Sequence, residues 1–430
     1  MCGFHGCLHP RANGYSILSE PQITPACIVC GGETRLCLDL GQQPLANALL
    51  SRHDEKYRAY PLGLSSCSNC SHGQLNHFVA PSDLFQNYLY ASGTGRALHP
   101  YFNWFAAALA KGLKPGARVF EVACNDGSLL DSLREYGLDA CGVDPAGNLT
   151  EAARAKGHDV QTGFFPQCRP AGQFDAIVAM NVCAHTPDPR ALMHGIKELL
   201  APKGAAFIQT SQAFMLLNGE FDTIYHEHYS FYTPASLKRL GETCGLRIEA
   251  RKIVSVHGGS MLCILRHDHE QADRFNFMGG KPFECLWPSP EPGIMSSEVT
   301  GYQAAADYQK FAARAHDVMT LARDRIKSEQ GKGHPVALAG VAAKALTFIK
   351  AAGIQPDYYL DEAPLKIGRF VPGSACAIQP LNEAAALPED TLFMIGAWNF
   401  AEGLSAKVRA LRPGLATKFL VCLPELREFG

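Results

Sequence analysis

The chain has 430 residues, 47% hydrophobic and 19% charged, with a formal net charge of −2. That composition is globular and the length exceeds one core, so roughly two to four domains are expected. No Lys/Arg run forms the basic stripe that nucleic acid requires, and no apolar run reaches the roughly eighteen residues of a membrane span. Met1–Gly6 lacks the basic-then-apolar pattern of a secretory signal, so a cytoplasmic protein with no nucleic-acid, membrane or protein partner is expected.

Sixteen cysteines then need a use other than disulfides. Cys124, Cys141, Cys263 and Cys422 sit in apolar stretches and read as buried small hydrophobes. Cys27-x-x-Cys30 and Cys67-x-x-Cys70, with 36 residues between them, do not. Each turn points two thiolates at one ion, and four thiolates complete the tetrahedron that zinc prefers without leaving an open position, so a structural zinc is expected. Unliganded cysteines in loops are the alternative. Cys2, His5, Cys7 and His9 read as a ragged terminus.

From about Leu113 strands alternate with helices. Arg118–Cys124 is a buried strand, followed by the turn Asn125-Asp126-Gly127 and a helix over Ser128–Tyr136. Leu138–Asp144 is a second strand ending in an acid, Phe174–Asn181 a third, and Ala205–Thr210 a further one. Such alternation gives a parallel sheet with ligands at the carboxyl ends of its strands. The small-residue turn lets a ligand approach the backbone, and Asp144 can accept hydrogen bonds from a ribose diol. The pyrophosphate loop G-x-G-x-x-G is missing, which disfavours an NAD(P) oxidoreductase and favours a nucleoside without a pyrophosphate, S-adenosylmethionine.

Asp222–Tyr229 packs ionisable and phenolic groups after the strand that ends near Thr210, and His185 comes from the loop of another strand. Both converge on the carboxyl edge, equipment for proton abstraction. His226-Glu227-His228 also has metal-like spacing, although H-E-x-x-H is absent, and histidines in a surface loop are the plain alternative. Further along, Asp268–Ser297 is rich in Pro and Gly and reads as a linker. Tyr308, Phe311, Ala315, Val318, Ala322 and Ile326 give one apolar helix face. Val336–Lys344, Tyr358–Asp361 and Leu392–Asn399 repeat the strand-turn pattern, a second Rossmann-like domain. The division expected is a zinc module over 1–85, a methyltransferase domain over 86–268, a linker over 269–297 and an α/β domain over 298–430.

The run Glu121-Val122-Ala123-Cys124-Asn125-Asp126-Gly127 resembles the cofactor motif of the sugar C-methyltransferases. The resemblance extends from about Cys27 to Leu423. It takes in both cysteine knuckles, Leu40–Asn47, Tyr88–Thr94, Tyr225–Ser230 and His257-Gly258-Gly259-Ser260. It implies a class I methyltransferase domain that holds S-adenosylmethionine through Glu121, Cys124, Asn125, Asp126, Gly127, Asp144 and Asn181, with Tyr88 and Ser92. It implies C3-methylation of a nucleotide-linked 4-keto-deoxysugar, with His228 as general base. Tyr225, Glu227, His185 and Tyr90 would bind the sugar, stabilise the enolate or carry protons. Tyr88 and Tyr90 alternate on one face, and which of them reaches the site stays open. His257 and Lys344 would contact the substrate, Lys344 through the diphosphate at a helix N-terminus, or as a plain solvated residue. The family's glycine-rich aromatic turn is here Ala339-Gly340-Val341-Ala342, a departure that weakens direct transfer of ligand contacts. A methyltransferase acting on oxygen, nitrogen or a non-sugar carbon is the competing reading, and a non-catalytic zinc-ribbon binding protein a more distant one.

Overall fold

The computed structural model describes residues 26–85, 98–211, 215–269 and 305–430. The ragged terminus, Tyr88, Tyr90, Ser92 and nearly all of the 269–297 linker lie outside the described residues. The fold is mixed α/β, built on three sheets.

Three antiparallel strands open it: β1 (Thr34–Pro44), β2 (Ala59–Cys67) and β3 (Gly73–Leu75). The central sheet begins with β4 (Arg118–Val122), β5 (Asp139–Asp144), β6 (Asp159–Thr162), β7 (Phe174–Met180) and β8 (Leu200–Thr210), all parallel. The chain then leaves this sheet. Strand β9 (Ser230–Phe231) pairs with β3 of the first sheet before β10 (Leu246–Val254) and β11 (Ser260–His267) return to the second. The central order is β10-β11-β8-β7-β4-β5-β6, with β11 antiparallel to both neighbours. Strand order reverses between β4 and β7, so the carboxyl ends of these two strands flank a crevice.

The third sheet follows a 27-residue helix, Ala305–Gly331. All six apolar positions read from its sequence are buried. Strands β12 (Val336–Ala339), β13 (Tyr358–Asp361), β14 (Ile378–Pro380), β15 (Leu392–Ile395), β16 (Lys418–Val421) and β17 (Arg427–Phe429) assemble in the order β14-β13-β12-β15-β16-β17, parallel except for β17. No described helix is long and apolar enough to cross a membrane. Strands end earlier than the sequence suggests. Ala123 and Asn181, read as strand residues, instead adopt left-handed φ of 56° and 57° at the strand termini. Of the four cysteines read as core, Cys141 is only partly buried, because β5 lies beside the edge strand β6.

The first sheet is pinned at one end by the knuckles. Sγ atoms of Cys27 and Cys70 lie 3.6 Å apart, as do those of Cys30 and Cys67, and all four fall within 4.8 Å of one another. A tetrahedral zinc with bonds of about 2.3 Å needs sulfur separations of about 3.8 Å. The backbone is already turned for this, with Gly31 N and Ser71 N donating to Cys27 O and Cys67 O. The Cys27 thiol is lowered to about 5, chiefly by the hydrogen bond with Cys70, whose own pKa is driven up by the same contact. A cation replaces these shared protons and lets all four sulfurs ionise. We expect one zinc per chain by elemental analysis. Chelation, or Cys70→Ser, should remove it, lower the melting temperature and abolish the slow hydrogen exchange of β2 and β3.

Candidate active site

The crevice at β4 is built by a turn that few sequences can make. Ala123, Asn125 and Gly127 all have φ between 52° and 77°. For the two non-glycine residues this costs on the order of 1 kcal/mol each. A Cβ at Gly127 would come within 2.9 Å of the His158 ring and 3.1 Å of Ala153 Cβ, so glycine is required there. Asp144 fastens the turn: its Oδ2 accepts from Asn125 N and its Oδ1 from Ala146 N, both at 2.9 Å. Asp126 accepts from Ser128 N and Oγ at the start of the next helix. Each Asp144 oxygen keeps a second lone pair, as a ribose diol requires.

Glu121 on β4 is buried, and its Oε2 has no hydrogen-bond partner among the described residues. Burial, then the charges of Asp144 and Asp126, raise its pKa well above the carboxylate range. Three acids around one strained turn suit a cationic nucleoside, and S-adenosylmethionine carries its positive charge on sulfur. Asn181 closes β7 on the other side of the crevice, and its buried Oδ1 is likewise unpartnered among the described residues. Cys124 is buried, as its apolar surroundings suggest, with its thiol against Gly142 and its N donating to Val143 O beside the turn.

The segment between β8 and β9 carries the second half of the site. Phe221–Thr223 form a 3-10 turn, and His228 N closes another on Tyr225 O. His228 Nδ1 lies 2.8 Å from Thr223 O and Nε2 lies 3.2 Å from Tyr225 Oη. A carbonyl can only accept, so the proton belongs on Nδ1 and the lone pair on Nε2. The His185 ring meets His228 edge-on at 4.6 Å, and the Tyr225 ring lies 4.2 Å away. Burial first, then the neighbouring His185 and Lys344, hold His228 well below 6.5, and burial lowers His185 to about 4. Both imidazoles are therefore neutral at neutral pH. Glu227 accepts from Asn47 Nδ2 at 2.5 Å.

His226 is separated from this group. Its ring is buried edge-on to Tyr60 of β2, 5.8 Å away. Among the described residues the four cysteines form the one metal-ligand cluster, so the H-x-H spacing is not a metal site.

The third sheet closes over the same segment. From the helix Ala343–Ala352, Lys344 Nζ approaches Glu220 Oε2 at 3.9 Å and Phe348 stacks on Phe221 at 5.2 Å. Lys344 Nζ also lies over the Trp398 ring at 5.2 Å, and Trp398 Nε1 donates to Asp222 Oδ2 at 2.8 Å. His257, at φ 56° between β10 and β11, feels the same Lys344 charge. Trp398 carries no sequence signal of a role, whereas Asn47 lies in the motif Leu40–Asn47, and Asp222 and Thr223 open the ionisable segment Asp222–Tyr229 without a role of their own being marked.

Three family descriptions match the chain in order: "Putative zinc binding domain" over 27–85, "Methyltransferase domain" over 95–251 and "C-methyltransferase C-terminal domain" over 293–424. The C-methyltransferase NovU of Streptomyces niveus is 29% identical over 420 residues, covering 93% of this chain and 96% of the relative. A ubiquinone biosynthesis O-methyltransferase of Aeromonas salmonicida (strain A449) is 29% identical over 161 residues, 33% of this chain and 67% of that one. Among solved structures, the magnesium protoporphyrin IX methyltransferase of Synechocystis PCC 6803 with bound S-adenosylmethionine aligns at 16% identity and a TM-score of 0.35, over 44% of this chain and 98% of that one. With three matched regions in order, the chain is an S-adenosylmethionine-dependent methyltransferase that carries a zinc-binding domain, similar almost end to end to a C-methyltransferase.

Proposed function

We propose that the chain methylates C3 of a nucleotide-linked 4-keto-deoxysugar, in branched-sugar biosynthesis, with His228 as general base. The observation that carries this reading is the His228 tautomer: a buried, neutral imidazole whose Nδ1 proton is committed to Thr223 O and whose Nε2 is basic. Carbon becomes a nucleophile only after losing a proton, and a keto group at C4 acidifies the hydrogen on C3. S-adenosylmethionine, when bound at the acid-lined turn, supplies an electrophilic methyl group on a sulfonium.

In this reading Nε2 takes the C3 proton and the electron pair moves onto the C4 oxygen as an enolate. Thr223 O stabilises the imidazolium so formed. Tyr225, which rests against Nε2 in the free enzyme, gives up that contact when the sugar binds and donates its hydroxyl to the enolate oxygen. Glu227, held by Asn47, binds a sugar hydroxyl, and His185 packs the base in place. Tyr90 or Tyr88 adds a further contact. The C4 carbonyl then re-forms as C3 bonds to the methyl carbon, the methyl–sulfur bond breaks with S-adenosylhomocysteine as the leaving group, and the proton leaves His228 for solvent. Lys344 and His257 hold the nucleotide diphosphate, so that the unit over 298–430 binds the acceptor and the unit over 86–268 the donor. The relative over nearly the whole chain is named a C-methyltransferase, whereas the O-methyltransferase relative aligns with 33% of the chain; this supports carbon as the acceptor.

Incubation with methyl-labelled S-adenosylmethionine and a freshly generated nucleotide-4-keto-6-deoxyhexose should place the label on C3, read by mass spectrometry and NMR. In deuterated water the C3 hydrogen should exchange even without the methyl donor; label on oxygen, or none on the sugar, sinks the reading. His228→Gln should lower turnover at least about a hundredfold, the usual contribution of a general base, and near wild-type turnover would remove His228 from that role. Because a base must be neutral to act and burial lowers this pKa, the acidic limb of kcat/KM should fall below pH 6.5, not at it.

A further inference from the structure

Two hydrogen bonds leave the 3-10 turn Phe221–Thr223 from adjacent residues. Asp222, 1% exposed, receives Trp398 Nε1 from the loop after β15 at 2.8 Å. Thr223 presents its carbonyl to His228 Nδ1, also at 2.8 Å. The turn is short, with Thr223 N on Glu220 O and Ile224 N on Phe221 O, so the Asp222 side chain and the Thr223 carbonyl leave adjacent residues of one hydrogen-bonded turn. Alternatives for the imidazole proton are close by. If Thr223 O swings away, Nε2 can donate to Tyr225 Oη at 3.2 Å and the histidine loses the lone pair that faces the site.

We propose that Trp398 is a positioning residue for the reaction. By holding Asp222, it keeps Thr223 O on His228 Nδ1 and so keeps Nε2 unprotonated. The third sheet then serves the chemistry of the central domain as well as the acceptor. This inference rests on His228 acting as base, but the link from Trp398 to the imidazole can be measured without turnover.

The test uses the full chain and Trp398→Phe, which keeps an aromatic ring in the side chain and removes the N–H along with the second ring of the indole. Protein labelled with [15N]histidine is read by long-range nitrogen–proton correlation, with the His228 signals assigned by their absence in His228→Gln. Wild type should show Nδ1–H. Trp398→Phe should shift His228 toward Nε2–H and lower kcat about tenfold, the effect of one lost hydrogen bond, with KM for both substrates changed less than about twofold. Asp222→Asn still offers an oxygen to Trp398 and should stay within about twofold of wild type, whereas Asp222→Ala should behave as Trp398→Phe. That pair reads the same link if Trp398→Phe does not accumulate as folded protein. An unchanged His228 tautomer in Trp398→Phe or Asp222→Ala overturns the proposal whatever the rate, as does equal loss in Asp222→Asn and Asp222→Ala. Wild-type turnover in His228→Gln would instead overturn the base assignment and leave the tautomer result standing.

Discussion

A residue without a side chain lets the first sheet, the segment before β10 and the long helix approach one another closely. A Cβ on Gly73 would stand 2.9 Å from Tyr308 Oη and 3.2 Å from Phe231 Cβ. Gly73 belongs to β3, Phe231 to the strand that ends the catalytic segment, and Tyr308 to the long helix before the third sheet. Tyr308 Oη in turn donates to Ser71 O, one residue beyond the Cys70 knuckle. The close approach lets β9 pair with β3, which draws the segment carrying Tyr225 to His228 out of the central sheet and across the first. Without that pairing, the histidine and the acid-lined turn at β4 would have no fixed relation.

This arrangement explains why the candidate catalytic residues lie mostly on one short segment but their partners elsewhere. Asn47, just past the end of β1 remote from the knuckles, meets Glu227, and Trp398 after β15 meets Asp222. His185, in the 3-10 turn after β7, meets His228. The metal acts by ordering the first sheet, whose other end leads to the glutamate's partner Asn47. A closed four-sulfur site suits that task, since an open coordination position would add reactivity where only stiffness is needed.

Much of the site is legible in the sequence where the signal is local. Asp144 is marked by its place at the end of a strand, and the turn before it by small residues that tolerate left-handed backbone. The Tyr225–His228 cluster is marked by its density of ionisable groups. What is not legible depends on backbone direction and on contacts across about 180 residues or more. The spacing of His226 and His228 would put both rings on one side of a strand, but the turn closed by His228 N on Tyr225 O sends them apart. Thr223 acts through its carbonyl, which its side chain does not announce. Trp398 reads as one more aromatic after a strand until the chain is folded and its N–H is found 2.8 Å from a buried carboxylate.

The acids around the β4 turn bear on how the enzyme empties itself. Glu121, Asp126 and Asp144 surround the turn where the methyl donor is expected, and its sulfur is positive before methyl transfer and neutral after it. Buried carboxylates attract a sulfonium and gain nothing from a thioether, so the cradle loses part of its grip at the moment the product forms. Electrostatic selection of this kind works against product inhibition. It needs no moving part, only acidic side chains gathered at a strained turn that the rest of the sheet keeps in place.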